Sequence, residues 1–175
     1  GPGSAVFGAD AYAGVISITT KEGLDINGFS GGAGSGSFTS RDAWLQYGGE
    51  YAGWDVALSL EYSSSDGDRG RIIHSDTQTS LDTAFGTNVS LTPGQLELGY
   101  DQLNSSISLN KDNWSVWFNS WNLNDAGVGP GGMEALDPVG RQEIDQYSLA
   151  VDYKNEDLFD GWQLNSRIAF KQLDQ

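Results

Sequence analysis

The stretch WDVALSLEYS, residues 54–63, alternates at every position. Trp54, Val56, Leu58, Leu60 and Tyr62 fall on one side of an extended chain. Asp55, Ala57, Ser59, Glu61 and Ser63 fall on the other. Successive side chains of a strand point to opposite faces, so this is a strand with one apolar and one polar face. The same period recurs upstream, where Ala43, Leu45, Tyr47, Gly49 and Tyr51 oppose Trp44, Gln46, Gly48 and Glu50. Ala52-Gly53 makes a short turn between the two segments. Downstream, Leu103, Ser105, Ile107 and Leu109 alternate with Gln102, Asn104, Ser106 and Ser108. After a tight turn at 111–113, Trp114, Val116 and Phe118 alternate with Ser115, Trp117 and Asn119. Tyr147, Leu149, Val151 and Tyr153 then oppose Ser148, Ala150, Asp152 and Lys154. Finally Trp162, Leu164, Ile168 and Phe170 oppose Gln163, Asn165, Arg167 and Lys171.

With a Gly-rich first segment near 25–37, this makes about seven strands, each near the ~9–11 residues that a tilted strand needs to cross a bilayer. The first has least to pack, because GGAGSGS carries almost no side chain. The connections alternate between short (52–53, 111–113, 155–161) and long (64–100, 124–143). Long loops therefore fall on one side and short turns on the other, an asymmetry of outer-membrane barrels. Tyr51, Trp54, Trp114, Tyr153, Phe159 and Trp162 crowd the short-turn side, as expected where a barrel wall meets lipid head groups. A soluble antiparallel β-sandwich, for example a carbohydrate- or ligand-binding module using its Trp residues, also alternates. The Gln, Asn, Ser, Asp and Glu of the polar faces tip the balance toward a water-filled lumen.

Composition narrows the function. The chain has 175 residues and a formal net charge of −15, with only nine Lys and Arg. A binder of nucleic acid needs clustered cations, so that partner is not expected. There is no cysteine, hence no disulfide framework or thiolate metal site. No apolar run approaches a membrane-spanning helix, which leaves a strand-based span open.

The opening GPGSAVFGADAYAGVISITTK, residues 1–21, closely resembles the end of the plug domain of TonB-dependent outer-membrane receptors. The resemblance rests on Gly1-Pro2-Gly3-Ser4, Phe7-Gly8 and the run Ala13-Gly14-Val15-Ile16-Ser17-Ile18-Thr19-Thr20-Lys21. It is dense to about residue 70 and looser beyond. It implies the end of a plug domain in 1–21. Residues 22–175 would then be the N-terminal part of an antiparallel, up-and-down transmembrane β-barrel. Such receptors have about 22 strands, so the chain is expected to be a fragment of a larger protein. The resemblance further implies the outer membrane of a Gram-negative bacterium, with lipid bilayer and lipopolysaccharide around the wall. It implies TonB with ExbB and ExbD as energy source, and import of a scarce nutrient, most often a ferric siderophore, without covalent chemistry.

In that family the plug apices and extracellular loops hold the substrate. The corresponding residues here are Arg69, Arg71, His74, Met133 and Arg141. Asp66 and Asp68 flank Gly67, with Asp76 further on. Alternate carboxylates can wrap Ca²⁺, and some family members order a loop in that way. The complete calcium-loop pattern is missing. Signals for catalysis are weak. His74 is the only histidine, and GGAGSGS lacks the Lys-Ser/Thr of a phosphate loop. A glycosidase pair from Glu61 and Glu143 or Asp145 has nothing to fix its spacing.

Overall fold

A computed structural model describes residues 20–175, and of Met133 the backbone only. The plug-like reading of residues 1–19 lies outside the described residues. Seven strands form one antiparallel sheet: β1 (Gly28–Ser35), β2 (Arg41–Tyr51), β3 (Trp54–Ser65), β6 (Tyr100–Lys111), β7 (Trp114–Gly127), β8 (Arg141–Phe159) and β9 (Trp162–Asp174). Each pairs with its neighbours in chain order, so the sheet is a meander. It is open, with β1 and β9 at its two edges. Between β3 and β6 lie a small ribbon of β4 (Ile72–Ile73) with β5 (Gly94–Gln95), and helix α2 (Thr77–Phe85). A turn of helix, α1 (Gly23–Ile26), precedes β1. Among the described residues no second large sheet stacks on the first, and the sheet does not close into a barrel.

The turns follow local chemistry. Ala52 and Gly53 have φ of 51° and 78°, and Asp160 and Gly161 have 36° and 84°. Positive φ at both central residues is the hairpin geometry that matches strand twist. The last connection is thus tighter than the sequence suggests. β8 runs on to Phe159, with a register shift between Asn155 and Phe159, instead of ending near 155. The first strand is also corrected. Residues 23–26 are helical, Asn27 is left-handed at φ 47°, and the strand starts at Gly28. The glycines of β1 do pair, because a neighbour covers them. A Cβ at Gly32 would come within 2.8 Å of the Trp44 indole nitrogen on β2. Phe29 stacks on Tyr47 at 4.6 Å between centroids.

Register lines up the faces. One row runs Tyr47, Leu58, Ile107, Phe118, Leu149 and Phe170. The row behind it, on the other face, runs Gln46, Ser59, Ser106, Asn119 and Ser148. On the interior strands the apolar side is partly bare, with Leu60 47%, Leu149 40% and Leu58 38% accessible, and Trp117 on the polar side is 37% accessible. Ala57, on the polar side, is 7% accessible. Ala57, Ala126 and Leu136 are the buried hydrophobic residues among those described. A water-soluble fold buries its apolar side chains; this sheet presents them.

Candidate functional site

The chain enters over the polar face. Gly23 is buried: a Cβ on Gly48 of β2 would meet the Gly23 carbonyl, and a Cβ on Gly23 would meet Asp55 Oδ1 and the Val56 carbonyl of β3. Gly48 pairs with Ala57, which fixes both on the polar face. Asp55 Oδ1 is enclosed beneath Gly23 and has no hydrogen-bond partner among the described residues. Thr20 and Lys21 line a cavity of about 310 Å³ with Gln46, Ser59, Ser106 and Trp117. Thr20 and Glu22 border a larger one, about 730 Å³, with Asn110, Trp117, Asp152 and Arg167. Arg167 donates to both oxygens of Asp152, at 2.7 and 3.0 Å.

At the opposite end the two long connections form one cap. Asp76 caps α2, accepting from the Thr79 backbone N–H at 2.7 Å and hydroxyl at 2.8 Å. It also accepts from the Ser90 hydroxyl at 2.9 Å and from the Leu136 N–H, in the other connection, at 2.8 Å. That Leu136 N–H, with the Thr79 and Ser90 donors, holds the Asp76 carboxyl well below the usual carboxylate range. Asp82 accepts from the Thr87 hydroxyl at 2.6 Å and from the Val89 and Ser90 N–H groups, each at 2.8 Å. These donors, the Thr87 hydroxyl first, lower its pKa to about 2. Leu136 is buried against Gly94.

A groove of about 430 Å³ opens beside this cap. It brings together Arg69, Arg141 and Asp66 of the residues singled out from sequence. Arg141 Nε lies 2.9 Å from Asp125, and its Nη2 3.7 Å from Glu97. Arg69 lies 3.7 Å from Asp66. Arg71, His74 and Met133 do not line the groove. His74 is exposed in the connection, and Met133 sits in a short 3-10 turn, Gly132–Glu134. Asp66, Asp68 and Asp76 do not converge: Asp76 is committed to the cap. Among the described residues no three acidic or histidine side chains are grouped to hold a metal ion. The sequence reading missed Arg41, Glu97, Asp101 and Asp125. Asp101 lies in β6, and Gly99 and Glu97 carry its two-residue alternation back ahead of Tyr100, which was the available signal.

No protein-family model, characterised protein or solved structure matches the chain.

Proposed function

We propose that this chain forms part of the wall of an outer-membrane active transporter of the TonB-dependent kind, in which 22–175 contribute strands to a larger barrel. The observation that carries the reading is the inverted sheet. Its apolar face is partly bare, and its polar face is the one covered by the incoming segment at Thr20–Ile26. A lipid-embedded barrel needs that arrangement, with lipid outside and a polar lumen holding an inner domain. Trp117, on the polar face beside Thr20 and Lys21, fits contact with such a domain.

Two further features support it. The pairs Tyr51–Trp54, Trp114–Tyr153 and Phe159–Trp162 line the short-turn end, where an aromatic girdle belongs. The apolar band is also oblique to the strands. At one level Tyr62 and Leu103 on β3 and β6 give way to Asn122, Asp145 and Asp174 on β7 to β9. A band of constant depth crosses strands this way when they are tilted. The imported cargo is a scarce nutrient, a ferric siderophore on the resemblance, and the energy comes from TonB with ExbB and ExbD. Among the described residues no helix is long and apolar enough to cross a membrane.

The test is the denatured intact mass of the native protein, identified by peptides of this sequence in host outer-membrane fractions. A mass several times 18.8 kDa, in detergent-extracted outer membrane, is expected. Recovery only from the aqueous fraction would sink the reading. Loss of ferric-siderophore uptake on deleting the gene, restored by the intact copy, would then assign the cargo.

A further inference from the structure

One row across the polar face is built of small residues with a single exception. Register sets Gly48, Ala57, Ser108, Trp117, Ala150 and Ala169 side by side from β2 to β9. α1 sits on the Gly48 end of this row. At its other end the row leaves a trough of about 730 Å³ over Ala150 and Ala169, with Trp117 at its side. Trp117 also borders the smaller cavity lined by Lys21, so its indole stands between the two. Positive charge flanks the alanines on both sides. Arg167 and Lys154 lie in the rows toward the short turns, and Lys171 lies in the row toward the long connections. We propose that this trough binds a flat organic ligand with an anionic group at each end. The proposal rests on the reading of the polar face as a transporter lumen. It gives the cargo a chemistry, that of a ring-bearing dianion, and places it on the inner wall instead of at the loop cap.

Each part of the trough answers one part of such a ligand. Neighbouring rows on one face of a strand stand about 7 Å apart along the chain, so a single ring fills the width over the alanines. Side chains no larger than Ala let that ring approach the sheet. Trp117, which is 37% accessible, offers an aromatic surface beside it. The charges are available. Among the described residues, no carboxylate lies within ion-pair reach of Lys154 or Lys171. Arg167 uses Nε and Nη2 on Asp152, which leaves Nη1 to donate to a ligand. The carboxylates of the trough are Asp152, already paired, and Glu22 at the α1 border. In a chain of net charge −15 with nine Lys and Arg, three at one cavity make a local site for an anion that the rest of the surface repels. Residues 1–19, which lead into Thr20, contain a single acid, Asp10, and supply one negative charge against these three positive ones.

The experiment is calorimetric titration of the native full-length protein in a neutral maltoside detergent. The probe is terephthalate, a benzene ring with a carboxylate at each end, too polar to enter the micelle. Saturable binding is expected, and it should weaken as salt rises. Lys171→Gln should lower affinity about tenfold, the loss of one charge-assisted contact, and Lys171→Arg should restore it. Lys171 makes no ion pair among the described residues, so misfolding would not explain the loss. Trans-hexahydroterephthalate keeps both charges but has no flat ring. It should bind the wild type several-fold more weakly than terephthalate and lose little more in Trp117→Leu. Terephthalamide, the uncharged twin, should not bind measurably. Lys111→Gln, on the other face beside the Ala52 turn, should bind terephthalate as wild type does. Equal binding of terephthalamide, or unchanged affinity in Lys171→Gln, overturns the proposal. Displacement of the probe by an equal concentration of inorganic phosphate also overturns it, in favour of a simple anion site. A detergent-dependent protein that binds no terephthalate sinks the trough and leaves the transporter reading standing. Recovery from the aqueous fraction without detergent sinks the transporter reading itself.

Discussion

Gly48 controls where the chain can enter. A Cβ there would collide with the Gly23 carbonyl and come within 2.5 Å of Ile26 Cβ. Gly48→Val is expected to lift α1 off the polar face, at about 1–3 kcal/mol, as for other overpacked sites. Faster trypsin cleavage after Lys21 is the readout, and an unchanged rate would count against the contact. Asp82 acts through charge. Its pKa falls from 3.8 to about 2 in the folded state, so its stabilising effect is fully present above 3.8 and is lost as pH drops toward about 2. Asp76 shifts in the same direction. Exchange of the Val89 and Ser90 amides, measured relative to Leu109 in the sheet, should therefore rise between pH 4 and pH 2. A constant ratio would rule out this role for Asp82. Neither residue's part was visible in sequence. Asp76 resembled a cation ligand because it recurs with Asp66 and Asp68, but a Ser/Thr-rich neighbourhood supplied donors and turned it into a helix cap.

At the scale of elements, the sheet gives a direct test of what surrounds it. Phe118 sits in the middle of the apolar band, between Ile107 and Leu149. In lipid, Phe118→Lys should cost about 2–4 kcal/mol, whereas Asn104→Lys on the polar face should be close to neutral. Denaturant unfolding of the full-length protein from vesicles measures both, and equal costs would argue against a lipid-facing band. The cap gives a second test. Asp76→Asn removes the acceptor for the Leu136 N–H, so the Leu136 amide and the 128–140 connection should exchange faster, together with α2. If only α2 responds, the two connections are not coupled. The strands themselves were legible, because period-two alternation depends on local geometry alone. Two boundaries were not. Asp25 turned out to lie in α1, since a helical turn is favoured where Gly23 can seat against Gly48. β8 continued past Asn155, since a register shift let it pair through to Phe159 and Trp162.

For the molecule as a whole, the consequence is that, among the described residues, the sheet has no conventional hydrophobic core and its edges at β1 and β9 are open. Open edges and a bare apolar face invite association in water. The chain expressed alone is expected to need detergent or lipid, and a monodisperse monomer in plain buffer by size-exclusion chromatography would contradict that. The sequence by itself determined the seven strands of the main sheet, the two unlike faces, the alternation of short turns with long connections, and the aromatic row at the turn end; it did not show the β4–β5 ribbon or α2. Each of these follows from spacing along the chain, which is local information. The tertiary structure alone decided which face is covered and which is left bare, because that depends on where Thr20–Ile26 comes to rest. It also decided that Arg41, Arg69 and Arg141 meet at one border of the apolar band. They are far apart in sequence: the antiparallel register places Arg41 and Arg141, and the turn after β3 brings Arg69 beside them.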